Sequence, residues 1–241
     1  MIVDIDIGNT RAKWRLTDGG LVIKEGFIET KFGDWSPLVA LRSHNPGRVR
    51  ASNVAGEEVE QQLRGAITKA FGIEVDFAVS CASVGQVVSG YRDPKQLGID
   101  RWLAILAGWD LFRDDCVVVD AGSALTIDFV NAAARHIGGY IIPGQKMMLS
   151  ALYGETSGVH VNPSEEMSVD FGASTTEAVQ NGCLAMALAL IEKTMVDKNK
   201  RCGLIKMVLT GGDAESLLER LPDTVMHRPN LVLDGLALAL P

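Results

Sequence analysis

One short phrase occurs twice in the chain, and it limits the possible folds more than any other feature. Residues 2–10 read I-V-D-I-D-I-G-N-T and residues 116–124 read C-V-V-V-D-A-G-S-A, with Asp6 and Asp120 in register. In each copy an apolar, β-branched run meets a glycine-bearing turn, and a second strand-like run follows at 12–16 and at 125–130, so each reads as a β-hairpin. A repeat spaced at half the chain length implies a duplicated domain and not a solenoid of short units. No linker or low-complexity tract marks a boundary, so the repeat itself places one near residue 115, giving domains 1–115 and 116–241.

Between and after the hairpins, strand and helix signals alternate, which predicts an α/β fold. Residues 49–52 and 77–81 read as strands. Residues 57–71 read as an amphipathic helix with Val59, Leu63, Ala66, Ile67 and Ala70 on one face. Residues 100–112 read as a buried helix, where Trp102 and Trp109 at i, i+7 mark core or a subunit interface. In the second half the pattern predicts a long helix over 174–193, a strand over 205–210 ending in Gly211-Gly212-Asp213, and a short helix over 214–221 stopped by Pro222.

Charge and cysteine usage exclude several classes of function. Thirty acidic against 23 basic residues give a net charge of −7, the wrong sign for a chain that lives on nucleic acid or anionic lipid. No run of 18 apolar residues predicts a membrane span, and the carboxylates at Asp4 and Asp6 sit where a signal peptide needs basic and then apolar residues, so a cytoplasmic protein is expected. The four cysteines lack a C-x-x-C spacing and the four histidines are scattered, which argues against zinc. Cys81 and Cys116 flank apolar runs and read as buried, reduced thiols.

The repeated turn carries the chemistry. A tight turn with glycine and a small polar residue after a buried strand leaves main-chain N–H groups unobstructed, which suits a phosphate. The aspartate before it lies at the carboxyl end of a strand, where ligands bind in open α/β sheets, and can hold a metal ion or its waters. Two such hairpins, one on either side of a cleft, suit a nucleoside triphosphate with metal. The residues alone reach a two-domain nucleotide phosphotransferase or phosphohydrolase.

Six motifs in order resemble those of the type III pantothenate kinases, within the superfamily of acetate and sugar kinases, heat-shock chaperone ATPases and actin. They are D-I-G-N-T-R-A-K from Asp6, G-I-D-R from Gly98, D-A-G-S-A-L-T-I-D from Asp120, G-G-Y-I-I-P-G from Gly138, S-T-T-E-A-V from Ser174 and T-G-G-D from Thr210. The resemblance implies two ribonuclease-H-like domains with an interdomain nucleotide cleft, a homodimer, and ATP-dependent phosphorylation of pantothenate to 4′-phosphopantothenate, the first step of coenzyme A biosynthesis. An accessory regulatory protein of the same fold, or a kinase or phosphohydrolase of the superfamily acting on another small molecule, are the rival readings.

The same resemblance assigns roles. Asp6, Ile7, Gly8, Asn9, Thr10, Arg11, Ala12 and Lys13 would hold ATP, with Asp6 orienting Mg²⁺ directly or through water, and Ser123 would add a hydroxyl where the family usually has threonine. Tyr91, Gly98, Ile99, Asp100 and Arg101 match pantothenate-binding positions. Asp100 would be the general base: an aspartate is a weak base for an alcohol, but a loose phosphoryl-transfer transition state asks for orientation and late proton acceptance. Arg101 would pair with the substrate carboxylate. Asp120 matches a monovalent-cation position, for potassium or ammonium, and Thr175 matches a threonine that reaches the neighbouring subunit's site. Ser174 and Glu177 also read as a helix capping box. The 138–144 motif reads as core and turn.

Overall fold

In the computed structural model, which describes residues 1–155 and 167–241, the first half runs β1 (Ile2–Ile7), β2 (Arg11–Asp18), β3 (Leu21–Glu29), α1 (Ser36–Val39), β4 (Arg48–Asn53), α2 (Glu57–Phe71), β5 (Val75–Phe77), β6 (Ser83–Val84), β7 (Val87–Val88) and α3 (Ile99–Phe112). The second half runs β8 (Cys116–Ala121), β9 (Ala124–Val130), β10 (His136–Pro143), α4 (Gln145–Glu155), α5 (Thr175–Cys202), β11 (Lys206–Thr210), α6 (Ala214–Leu218), β12 (Val225–His227) and α7 (Leu231–Ala239). The two five-stranded sheets have the same order, β3-β2-β1-β4-β5 and β10-β9-β8-β11-β12. In each the hairpin pair is antiparallel, and the central strand also pairs in parallel with a later strand, β1 with β4 and β8 with β11. The duplication read from the hairpins therefore extends to whole mixed sheets.

The chain forms two compact units. Met1–Leu111, Ala134–His136 and Asn230–Pro241 make the first, and Phe112–Ala133 with Ile137–Pro229 the second. In unit 1, Val3, Ile5 and Ile7 on one face of β1 pack with Leu63 and Ile67 of α2, as the helical periodicity predicts. The other face carries Asp4 and Asp6, since side chains alternate along a strand. Asp4 is fully buried and takes two charged hydrogen bonds, from Arg15 Nε at 3.0 Å and Arg50 Nε at 2.7 Å. Both arginines reach on to α7 and its end: Arg15 to Asp234 at 2.5 Å and to the Leu233 carbonyl at 2.8 Å, Arg50 to the Leu240 carbonyl at 2.8 Å. Helix α7 also needs Gly235, because a Cβ there would collide with the Leu103 main chain of α3. Helix α3 is buried on every side from Arg101 to Trp109, so both of its tryptophans are core.

In unit 2, Val117, Val119 and Ala121 of β8 pack with Leu184, Leu188 and Ile191 of α5. Helix α5 outruns its predicted end at 193: its polar last turns are extended by a Lys193–Asp197 ion pair one helical turn apart, and it stops at Gly203 with φ 80°. The strand expected at 77–81 lies instead at 75–77. Parallel pairing with β4 ends at the Ala51–Phe77 pair, so Cys81 falls outside any strand and is partly exposed, not buried; Cys116 is buried as expected. Tyr140 and Ile141 are also not core. They stand exposed on β10, an edge strand of the second sheet.

Candidate functional site

The first phosphate-type turn is closed by the Gly8 N–H to the Arg11 carbonyl at 3.0 Å. It is braced by Thr30, a buried residue at the end of β3 whose hydroxyl donates to the Gly8 carbonyl at 2.8 Å and whose N–H donates to the Thr10 carbonyl at 3.1 Å. Asn9, Thr10 and Arg11 are exposed, and the Arg11 guanidinium lies 5.0 Å over the Phe27 ring. Ile7 and Ala12 are fully buried in the core, so they can offer a ligand only their main chain.

Below this turn, Asp6 stands between Lys13 on β2 and Ser52 on β4, its register partners on the same face. The Ser52 hydroxyl donates to its carboxylate at 2.8 Å. Burial pushes the Asp6 carboxyl up to about 6; the Ser52 hydrogen bond and Lys13 oppose this, and the nearby Asp100 carboxylate adds to it. An anion held against desolvation and a like charge is stabilised by a cation, and carboxylate oxygen is the donor that Mg²⁺ prefers.

Asp100 lies in the first turn of α3, and its Oδ1 accepts the Arg101 N–H at 2.7 Å. Glycine 98 and Ile99 lead into this turn, with the Gly98 carbonyl accepting the Trp102 N–H at 2.9 Å. Arg101 is buried and not a surface residue. Its Nη1 donates to the Tyr91 hydroxyl at 2.6 Å, and its guanidinium lies 5.5 Å from the Tyr91 ring centre. Asp6, Tyr91, Asp100 and Arg101, far apart in sequence, thus belong to one cluster in unit 1. His136, which the sequence reading set aside as scattered, stacks on Tyr91 within the same unit.

In unit 2 the second turn is closed by the Gly122 N–H to the Ala124 carbonyl at 3.0 Å, and two further N–H groups brace it: Gly144 to the Ser123 carbonyl at 3.0 Å and Asp213 to the Ala121 carbonyl at 2.9 Å. The T-G-G-D loop therefore lies directly on the phosphate-type turn. Gly211, with φ 101°, allows that approach, since a Cβ there would strike the Ala121 carbonyl. Ser123 is exposed. Asp120 stands between Thr126 on β9 and Thr210 on β11, its register partners, so three oxygen-bearing side chains lie abreast. Thr126 and Thr210 lie in quoted motifs, but neither was read as a neighbour of Asp120, because strand register is needed to see that. Lys146 of α4 reaches Asp213 at 3.0 Å. Thr175 is exposed at the start of α5; Ser174 caps that helix by accepting the Glu177 N–H at 3.2 Å, while Glu177 takes the Ala173 N–H at 2.6 Å. Among the described residues no group of three or more His, Cys, Asp or Glu could hold a metal, and no helix is long and apolar enough to cross a membrane. His160 lies outside the described residues.

A family model described as type III pantothenate kinase matches residues 2–197. The type III pantothenate kinase of Alcanivorax borkumensis is 35% identical over 241 residues, covering 98% of this chain and 97% of the relative. Among solved structures, a conserved Campylobacter jejuni protein assigned to the Baf family of transcriptional activators matches with a TM-score of 0.61 at 23% identity, covering 98% of this chain and 95% of that one. A Sinorhizobium meliloti protein assigned as a 2-dehydro-3-deoxygalactonokinase matches with a TM-score of 0.60 at 13% identity, covering 99% and 98%. At these identities the two structures show the fold, that of ribonuclease-H-like sugar kinases.

Proposed function

The chain belongs to the type III pantothenate kinase family, and on that premise we propose how its residues divide the work. The reaction is transfer of the γ-phosphoryl group of ATP to the primary hydroxyl of pantothenate, giving 4′-phosphopantothenate and ADP at the entry to coenzyme A biosynthesis. Curated relatives aligned over nearly their whole length carry this name, which favours the kinase over an accessory protein of the same fold.

Asp100 acts as the general base. The hydroxyl oxygen attacks the γ-phosphorus, its proton passes late to the Asp100 carboxylate, and the bond to the β-phosphate oxygen breaks as ADP leaves. The observation that supports this assignment is the position of Asp100 in the first turn of α3 in unit 1, its Oδ1 taking the Arg101 N–H, with the Arg101–Tyr91 pair beside it. The Arg101 guanidinium binds the pantothenate carboxylate, and Gly98 and Ile99 shape the turn that presents Asp100. The Asp6–Lys13 segment holds ATP: Gly8, Asn9 and Thr10 at the turn, Lys13 as a cation on the strand, and Asp6 as the ligand of Mg²⁺ or its waters. Bound there, Mg²⁺ neutralises phosphate charge during transfer.

In unit 2, Ser123 supplies a hydroxyl to ATP and the T-G-G-D loop serves the adenosine. Asp120 holds a monovalent cation, and the flanking Thr126 and Thr210 hydroxyls give it the oxygen-rich, singly charged surroundings that suit potassium or ammonium. The protein acts as a homodimer in which Thr175 contributes to the partner's pantothenate site. The exposure of Tyr140, Ile141, Met147 and Met186 in unit 2 supports an interface there. A cytoplasmic location accords with the net charge of −7. The test is ADP release from MgATP with and without pantothenate: release that needs pantothenate supports the assignment, and release indifferent to it overturns it.

A further inference from the structure

We propose that His136 is a positioning residue for recognition of the substrate carboxylate: it fixes the Tyr91 ring and, through it, the Arg101 guanidinium. This rests on the assignment of Tyr91 and Arg101 to the pantothenate site. His136 is fully buried, and residues 134–136 belong to unit 1 although the chain on either side belongs to unit 2. This short segment lies along the loop that carries Tyr91. The Val88 N–H donates to the Ala134 carbonyl at 2.9 Å, Val88 forms a bridge with Arg135, and the Gly90 N–H donates to His136 Nδ1 at 3.4 Å. The imidazole then stacks on the phenol, with ring centres 5.9 Å apart and planes 19° from parallel. On the far side of the contact, the Tyr91 hydroxyl accepts from Arg101 at 2.6 Å.

The physical need is clear from the side chains involved. An arginine has many rotamers to lose and is useful for a carboxylate when its planar fork is already oriented. The Tyr91 hydroxyl orients it, but Tyr91 sits on a loop, outside any helix or strand. His136 supplies what the loop lacks, with a ring face for the phenol and an Nδ1 acceptor for the main chain one residue earlier. Accepting at Nδ1 also places the proton of a neutral imidazole on Nε2.

The test compares His136→Ala, His136→Phe and His136→Asn with wild type, using pantothenate and its analogue in which an alcohol replaces the carboxylate, each as substrate or competitor. His136→Ala is expected to raise KM for pantothenate about tenfold, while kcat and KM for MgATP stay within about twofold and the carboxylate-free analogue is unaffected. His136→Phe, which keeps the ring, and His136→Asn, which keeps an acceptor, should each recover part of the loss; they also serve if the alanine variant does not fold. Equal losses for both ligands, or kcat and the ATP constant falling together, would show a merely structural residue and overturn the proposal, as would no change at all. Arg101→Ala is the control for the premise: if it fails to discriminate between the two ligands, the substrate assignment falls and takes the proposal with it.

Discussion

The two hairpins share sheet order and strand direction, yet their turns differ by one residue and they are flanked by different chemistry. Asp6 has a lysine and a serine as its cross-strand neighbours, whereas Asp120 has two threonines. Two residues earlier the contrast sharpens. Asp4 lies between Arg15 and Arg50, but its counterpart Val118 lies between Asp128 and Val208. The two halves repeat one sheet order, and the side chains beside each central strand give each copy its own character. The first sets both of its aspartates beside cations, and the second sets Asp120 between two threonine hydroxyls.

That comparison can be broken by substitution. Asp4→Ala would leave two arginines buried at the base of unit 1, and removing one partner of such a network costs about 3–5 kcal/mol; thermal unfolding should show a large loss of Tm, while Val118→Ala, which only trims an apolar side chain, should cost far less. Asp100→Asn should leave the fold intact and lower turnover by about a hundredfold or more, as expected for loss of a positioned general base. An unchanged rate in steady-state assays would remove the base assignment and with it the claim that unit 1 carries the chemistry.

Asp6 gives a smaller effect of opposite sign on stability and activity. Its carboxyl is pushed up to about 6 by burial, so the folded state holds this proton over a range where the unfolded state has released it. Its contribution to stability is therefore present at low pH and is lost as pH rises towards about 6. Asp6→Asn should remove that slope and raise stability at pH 7 by about 3 kcal/mol, while abolishing tight MgATP binding. In the wild type the KM for MgATP should climb as pH drops below about 6, where the carboxylate is protonated. The smallest effect is expected at Thr210→Val, which should weaken activation by potassium about tenfold and leave the Mg²⁺ requirement unchanged.

The sequence made the duplication legible because apolar alternation and a glycine turn leave a local pattern; α2 follows from its periodicity and α3 from its strongly apolar run. Asp6, Asp100 and Asp120 were visible for the same reason, each beside a local motif. Ser52, Thr30 and His136, and the pairing of Thr126 and Thr210 with Asp120, were not, because their relevance comes from strand pairing and loop contacts between distant segments. Strand β5 was misplaced for a related reason: the apolar run continues past Phe77, but its partner strand does not support further pairing. The return of α7 to unit 1 is held by the buried Arg15 and Arg50, whose partners lie some 190 or more residues away in the sequence.

The division of labour between the two copies is tested most directly by titrating potassium against pantothenate-dependent ADP release, at saturating MgATP, for wild type and Asp120→Asn. A saturable potassium response in wild type that disappears in the variant, with Mg²⁺ dependence preserved, is the predicted result. A response that survives in Asp120→Asn would contradict it and leave the two hairpins alike in chemistry as well as in fold.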